Sequence, residues 1–248
     1  MSTLLFLLFS CQDSDKSTPP VGKNTKPETV QPAVEKKPET APKSSTDSSA
    51  MAPLDPKRAI KKAPEEFSVL FETTKGKIVI DVTRAWSPLG ADRFYNLVDM
   101  GYFSDVAFFR AIKGFMNQFG IHGDPTVALM WRNANIKDEP VIQSNTRGFL
   151  SFAKSRRPHS RTTQMFINTK DNVNLDAMGF SPFGKISESK GGGMKVVDQL
   201  HTGYGEGAPS GKGPSQGKFQ REGNSYLKSD FPELDYILSA RVCNNDCE

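Results

Sequence analysis

The sequence predicts a mainly β fold: a closed or nearly closed antiparallel barrel with two short helices. Three observations carry this. Short apolar runs broken by Gly, Pro and Asn recur at 106–112, 116–121, 148–153, 164–168, 183–186 and 236–242. Only two segments carry a helical period, and the strands do not alternate with helices as a parallel sheet requires. Aromatic residues are concentrated in one part of the chain: 22 of 24 lie in 67–248.

The first two strands form a hairpin. Phe67 to Thr73 and Lys77 to Val82 are rich in β-branched and aromatic residues, and Thr74-Lys75-Gly76 turns between them. Ser87 and Pro88 then read as N-cap and N1 of a helix that Gly101 closes. Phe94, Leu97 and Val98 give that helix one buried face. A second short helix is expected over 194–200, stopping near Gly203.

Residues 12–66 have a different composition. They hold nine of the 17 prolines, no Phe, Tyr or Trp, and ten basic against nine acidic side chains. Such a stretch buries too little apolar surface to offset the entropy of ordering it, so a disordered linker is expected. The folded domain is expected at 67–242, with a polar tail at 243–248. At residues 1–11 an apolar run, Leu4 to Phe9, precedes Ser10 and Cys11. This resembles the end of a bacterial lipoprotein signal, in which the cysteine is lipidated; an ordinary cleaved signal with an incidental Cys11 is the other reading. A lipid on Cys11 would anchor the chain to a membrane in the periplasm or cell envelope, and a linker of 55 residues would reach roughly 40 Å.

Charge and cysteines exclude other classes. A net charge of +4 over 248 residues gives no electrostatic case for a nucleic-acid binder. No apolar run approaches the roughly 18 residues of a spanning helix. His122, His159 and His201 lack ligand spacing, so no metal site is expected. Gly203-x-Gly205-x-Gly207 lies outside any βαβ context and reads as a plain loop. Cys243 and Cys247 stand at C-x₃-C spacing, which suits either a small disulfide loop or two free thiols.

The most informative segment is Phe108-Phe-Arg-Ala-Ile-Lys-Gly-Phe-Met-Asn-Gln-Phe-Gly120. An Arg among Phe and Met is costly unless something pairs with it or binds it. The segment resembles the cyclophilin signature F-x-R-x-I-x-G-F-M-x-Q-x-G at every fixed position. Gly148-Phe-Leu-Ser-Phe-Ala153 with Gln164-Met-Phe-Ile167, and Leu175-Asp176 with Phe183-Gly-Lys185, resemble two further blocks of that family in order. Gly120-Ile-His-Gly-Asp124 and Gly179-Phe-Ser-Pro-Phe-Gly184 look like a bacterial extracytoplasmic branch.

The resemblance implies a closed eight-stranded antiparallel barrel capped by two short helices, and cis/trans isomerisation of Xaa-Pro bonds without a cofactor. The uncatalysed barrier, roughly 18–20 kcal/mol, is amide resonance. As the bond twists, the prolyl nitrogen regains its lone pair, and a donor aimed there stabilises the twisted state over either planar one. A ~10⁵-fold acceleration needs only about 7 kcal/mol. By the family pattern Arg110 is that donor and Gln118 positions a substrate carbonyl. Phe115, Met116, Phe166 and Leu175 form the proline pocket beside Ile112, while Gln164 and the backbone near Ala153 and Lys154 hold the extended peptide. The partners implied are Xaa-Pro polypeptides of the envelope, met by a monomer.

The chain departs from the pattern in places. Phe109 stands where a His commonly precedes the Arg, Phe180 or Gly179 near a second His, and Asn174 where Trp is frequent. The basic run 154–161 reads as a solvated loop or as a groove rim selecting acidic peptides. A weakly catalytic proline-binding module or holdase is the competing function, and a purely structural envelope lipoprotein a third.

Overall fold

The computed structural model describes residues 54–243, 246 and 247. Residues 1–11, where a lipidated Cys11 is expected, and the part of the expected linker up to residue 53 lie outside the described residues. The hairpin forms as expected: β1 (Glu66–Thr73) pairs antiparallel with β2 (Gly76–Thr83), from Glu66 opposite Thr83 to Thr73 opposite Gly76. Helix α1 (Pro88–Asp99) follows. Gly101, at φ +75°, ends it with Tyr102 N–H donating to the Leu97 carbonyl at 2.9 Å.

The remaining strands are β3 (Val106–Ala107), β4 (Arg110–Ile112), β5 (Met116–Phe119), β6 (Phe149–Phe152), β7 (Met165–Asn168), β8 (Pro182–Gly191) and β9 (Tyr236–Cys243). They make one nine-stranded sheet in the order β3-β9-β1-β2-β8-β6-β7-β5-β4, with every pair antiparallel.

This corrects the expected closed barrel of eight strands. The run 106–112 is not one strand. Its first half pairs with β9 and its second with β5, with Phe108 and Phe109 between. The curled sheet therefore ends at β3 and β4, which share a chain segment but no ladder. Phe108 turns into the main core and Phe109 into a second cluster, where its ring lies 5.7 Å from Phe219.

The expectation of two helices also falls short. Among the described residues there are four: α1, α2 (Pro125–Trp131), α3 (Gly193–Val197) and α4 (Gln216–Asp230), the last broken at Gly223 with φ +63°. Asp124 caps α2 by accepting from Thr126 N–H at 2.7 Å, and Pro125 occupies its first turn. In α4 the glycines at 217 and 223 conceal the period. α3 covers only part of the helix expected at 194–200.

The main core lies inside the sheet and under α1. Phe71 is its centre, with the rings of Phe94, Phe103 and Phe119 at 5.2–6.0 Å. The N-terminus of α1 is held by a side chain from elsewhere. Glu139 accepts from Leu89 N–H (2.6 Å), Gly90 N–H (3.1 Å) and the Ser87 hydroxyl, and pairs at 2.8 Å with the buried Arg161. Arg161 therefore leaves the solvated loop in which the basic run placed it.

The domain also begins earlier than residue 67. Residues 54–66, expected within the disordered linker, pack on it. Trp131 Nε1 donates to the Leu54 carbonyl (2.8 Å), Asn96 bonds both ways with the Lys61 backbone, and Ala63 is buried with its N–H on Asp92. At the other end a disulfide joins Cys243 to Cys247, both buried against Leu70 and Val79.

Candidate active site

The outer face of β4-β5-β7-β6 carries the site. Arg110 stands opposite Gln118, Gln118 opposite Phe166 and Phe166 opposite Ser151, so one row of side chains crosses four strands. The next row on this face runs Ile112, Met116, Asn168. A tight turn joins β4 to β5: Gly114 takes φ +69° and Phe115 N–H returns to the Ile112 carbonyl at 3.0 Å. That turn brings Phe115 round beside Met116.

These rows build an apolar cluster separate from the main core. Met116, Phe166, Leu175 and Phe180 are its buried members, with Ile112, Phe115, Ala153 and Met178 packed against them. The six apolar residues singled out in the sequence thus lie together. Phe180 was not among them. Its ring meets Phe166 edge-on at 5.7 Å. Asn174 is exposed.

A polar scaffold holds the Leu175–Phe180 wall. Asp176 accepts from Ser144, from Asn145 N–H (2.8 Å) and from Asn145 Nδ2 (2.7 Å), and Asn145 Nδ2 also reaches the Phe180 carbonyl (2.8 Å). Burial raises the pKa of Asp176, but the bonds from Ser144 and Asn145 outweigh it and leave the carboxyl below its ordinary value. Asn172 ties this loop to the β4–β5 turn, donating to the Phe115 carbonyl at 2.8 Å.

Arg110 borders this cluster and is 3% exposed. Its Nη1 donates to Gln118 Oε1 at 2.9 Å and lies 3.9 Å from Met116 Sδ. Gln118 Nε2 in turn donates to Gln164 Oε1 at 2.8 Å. The half-buried Gln164 and Ala153 are joined through the backbone, Ala153 N–H to the Gln164 carbonyl at 2.9 Å. Lys154 directs its ammonium to Asp138 (3.5 Å) and over the Phe180 ring (5.8 Å).

One partner of Arg110 was missed in the sequence. Glu206, from the glycine-rich run read as a plain loop, accepts from Arg110 Nε at Oε1 and from Nη2 at Oε2, both at 2.7 Å. A buried guanidinium among Met and Phe requires such compensation. The sequence signalled the need but not the residue, 96 positions away. Among the described residues no cluster of metal-ligating side chains occurs.

A buried cation thus stands at the edge of an apolar cluster, next to half-buried amide side chains. A sequence profile of the cyclophilin type peptidyl-prolyl cis-trans isomerase/CLD family matches residues 68–216. The chain belongs to that family. It is 30% identical over 180 residues to peptidyl-prolyl cis-trans isomerase B of Escherichia coli, spanning 69% of this chain and 96% of that one. It is 34% identical over 137 residues to a peptidyl-prolyl cis-trans isomerase of Acinetobacter baylyi, across 53% and 70%. In fold it is similar to a cyclophilin type isomerase of Cryptosporidium parvum, with TM-score 0.52, 20% identity, and 73% and 99% coverage. A second structure of that protein, in the presence of the dipeptide Ala-Pro, gives TM-score 0.50, 21% identity, and 72% and 99% coverage.

Proposed function

We propose that this chain accelerates cis/trans isomerisation of Xaa-Pro bonds, with the proline ring against Met116, Phe166 and Leu175 and with Arg110 as donor to the prolyl nitrogen. The observation that carries this is Arg110 Nη1 lying 3.9 Å from Met116 Sδ at the edge of that cluster. Twisting the imide breaks resonance and makes no new bond, so a nucleophile has no task here. The apolar wall removes water from the ring, and the guanidinium meets a lone pair that exists only in the twisted state. Ile112 and Phe115 form the rim, Gln118 orients the cation and a substrate carbonyl, and Gln164 with the Ala153–Lys154 backbone holds the extended chain.

Exchange spectroscopy on an Ala-Pro tetrapeptide tests this. Substoichiometric protein broadens the separate cis and trans resonances. Binding without exchange would establish the competing proline-binding module, which draws support from the carboxylate that neutralises Arg110.

The site of action we propose is extracytoplasmic. Supporting it are the Leu4–Phe9 run before Cys11, the tether-like composition that follows, and a disulfide of the kind that persists in oxidising compartments. Clients would then be envelope or secreted polypeptides whose folding waits on proline. Metabolic labelling with a fatty-acid analogue tests the anchor. Label lost in Cys11→Ala supports it, and an unlabelled wild type refutes it.

A further inference from the structure

We propose that Glu206 is a positioning residue of the isomerase site: its carboxylate, held by its own loop, fixes the plane of the Arg110 guanidinium from which Nη1 serves the pocket. This assignment rests on the isomerase reading above.

Three features of the geometry support it. The pair is bidentate, with Nε and Nη2 each 2.7 Å from a different carboxylate oxygen, so rotation about the Cδ–Nε bond would break two hydrogen bonds at once. Gln118 holds Nη1 from the other side, and Gln164 holds Gln118. All three guanidinium nitrogens therefore have a fixed neighbour, and the one beside Met116 is Nη1.

The carboxylate is itself prearranged. Gly207 N–H donates to Oε1 at 2.9 Å, and the Glu206 carbonyl accepts from Gly213 N–H at 2.8 Å. Ala208 N–H returns to the Gly213 carbonyl at 3.0 Å. Gly211 and Gly213 lie close over the Glu206 carbonyl, and a Cβ on Gly213 would come within 2.9 Å of that oxygen. The glycines of this run thus let the loop fold tightly around one residue.

The loop is also built in at both ends. Before Glu206, the Tyr204 ring sits between His201 (4.8 Å) and Phe231 (5.0 Å). After it, Ser215 N–H donates to the Tyr226 hydroxyl at 3.1 Å and Ser215 caps α4. A lid that must open to admit substrate would not be secured in this way. A carboxylate meant to orient a catalytic cation would be, because misplacement of such a group by an ångström is costly in rate.

The test uses the full chain and the Ala-Pro tetrapeptide, comparing wild type with Glu206→Ala and the isosteric Glu206→Gln. Glu206→Ala is expected to lose about tenfold in kcat, with KM within roughly twofold. Glu206→Gln, which retains one acceptor for Arg110, falls between the two. The Arg110 Nε–H resonance shifts in both variants while the amide spectrum of the sheet is kept. Equal or faster exchange in both variants, with wild type active, overturns the Glu206 assignment and leaves the isomerase reading standing. A change confined to KM also overturns it. Absence of exchange in wild type overturns the isomerase reading and this assignment with it.

Discussion

Arg110 and Gln118 face each other across the β4–β5 ladder, and Arg110 Nη1 donates to Gln118 Oε1 at 2.9 Å. The contact is set by register, since a slip of one residue would send one of the two to the opposite face of the sheet. Gln118→Leu removes the acceptor and leaves Arg110 with Glu206. The expected outcome is a roughly tenfold loss in kcat/KM with the fold intact. Unchanged kinetics would show that Gln118 has no part in orienting the cation.

Phe180 supports the pocket from behind Phe166. Phe180→Ala removes a ring that is 2% exposed and packed edge-on at 5.7 Å. The expected effects are about 3 kcal/mol of lost stability and weaker peptide binding, because Phe166 then has room to turn away. Urea denaturation and peptide titration measure the two. An unaltered affinity would mean that the Phe166 wall stands without it.

Glu139 joins the start of α1 to the buried Arg161. Glu139→Ala strips the helix end of its acceptor and Arg161 of its closest carboxylate. A loss of about 3 kcal/mol is expected, seen as a lower urea midpoint. Turnover of the protein that stays folded is not expected to change, since neither residue reaches the pocket. Wild-type stability in Glu139→Ala would refute the structural role.

Asp176 makes the pocket wall pH-sensitive. Its pKa is lowered in the folded chain, so ionised Asp176 contributes stability that is complete above the unfolded value and lost as pH falls through the folded one. Stability should therefore decline on the acid side of the ordinary carboxylate range. In Asp176→Asn, which is less stable at neutral pH, the decline should be shallower. Parallel acid profiles for the two proteins would contradict this.

What was legible in the sequence is largely what is local. The signature segment places Arg110, Ile112, Phe115, Met116 and Gln118 on one hairpin, and a period-two reading predicts which of them share a face. The α1 start was legible from Ser87-Pro88, although Glu139, not the Ser87 side chain, accepts from the first N–H groups. Long-range partners were not legible. Nothing in the spacing joins Glu206 to Arg110, or Glu139 to α1 some 50 residues earlier. Composition misled at 54–66, where Pro and Lys suggested a free chain but Asn96 and Asp92 supply partners for its backbone. The split at Phe108-Phe109 was hidden because an unbroken apolar run does not reveal a change of strand partner.

In the proposed reaction the Arg110 guanidinium stabilises the twisted imide. Exchange spectroscopy on the Ala-Pro peptide with Arg110→Ala measures it most directly, with Arg110→Lys keeping a charge without the fork. Arg110→Ala is expected to bind the peptide yet lose about a hundredfold or more in exchange rate, and Arg110→Lys to recover little. Wild-type exchange in a folded Arg110→Ala protein would contradict it.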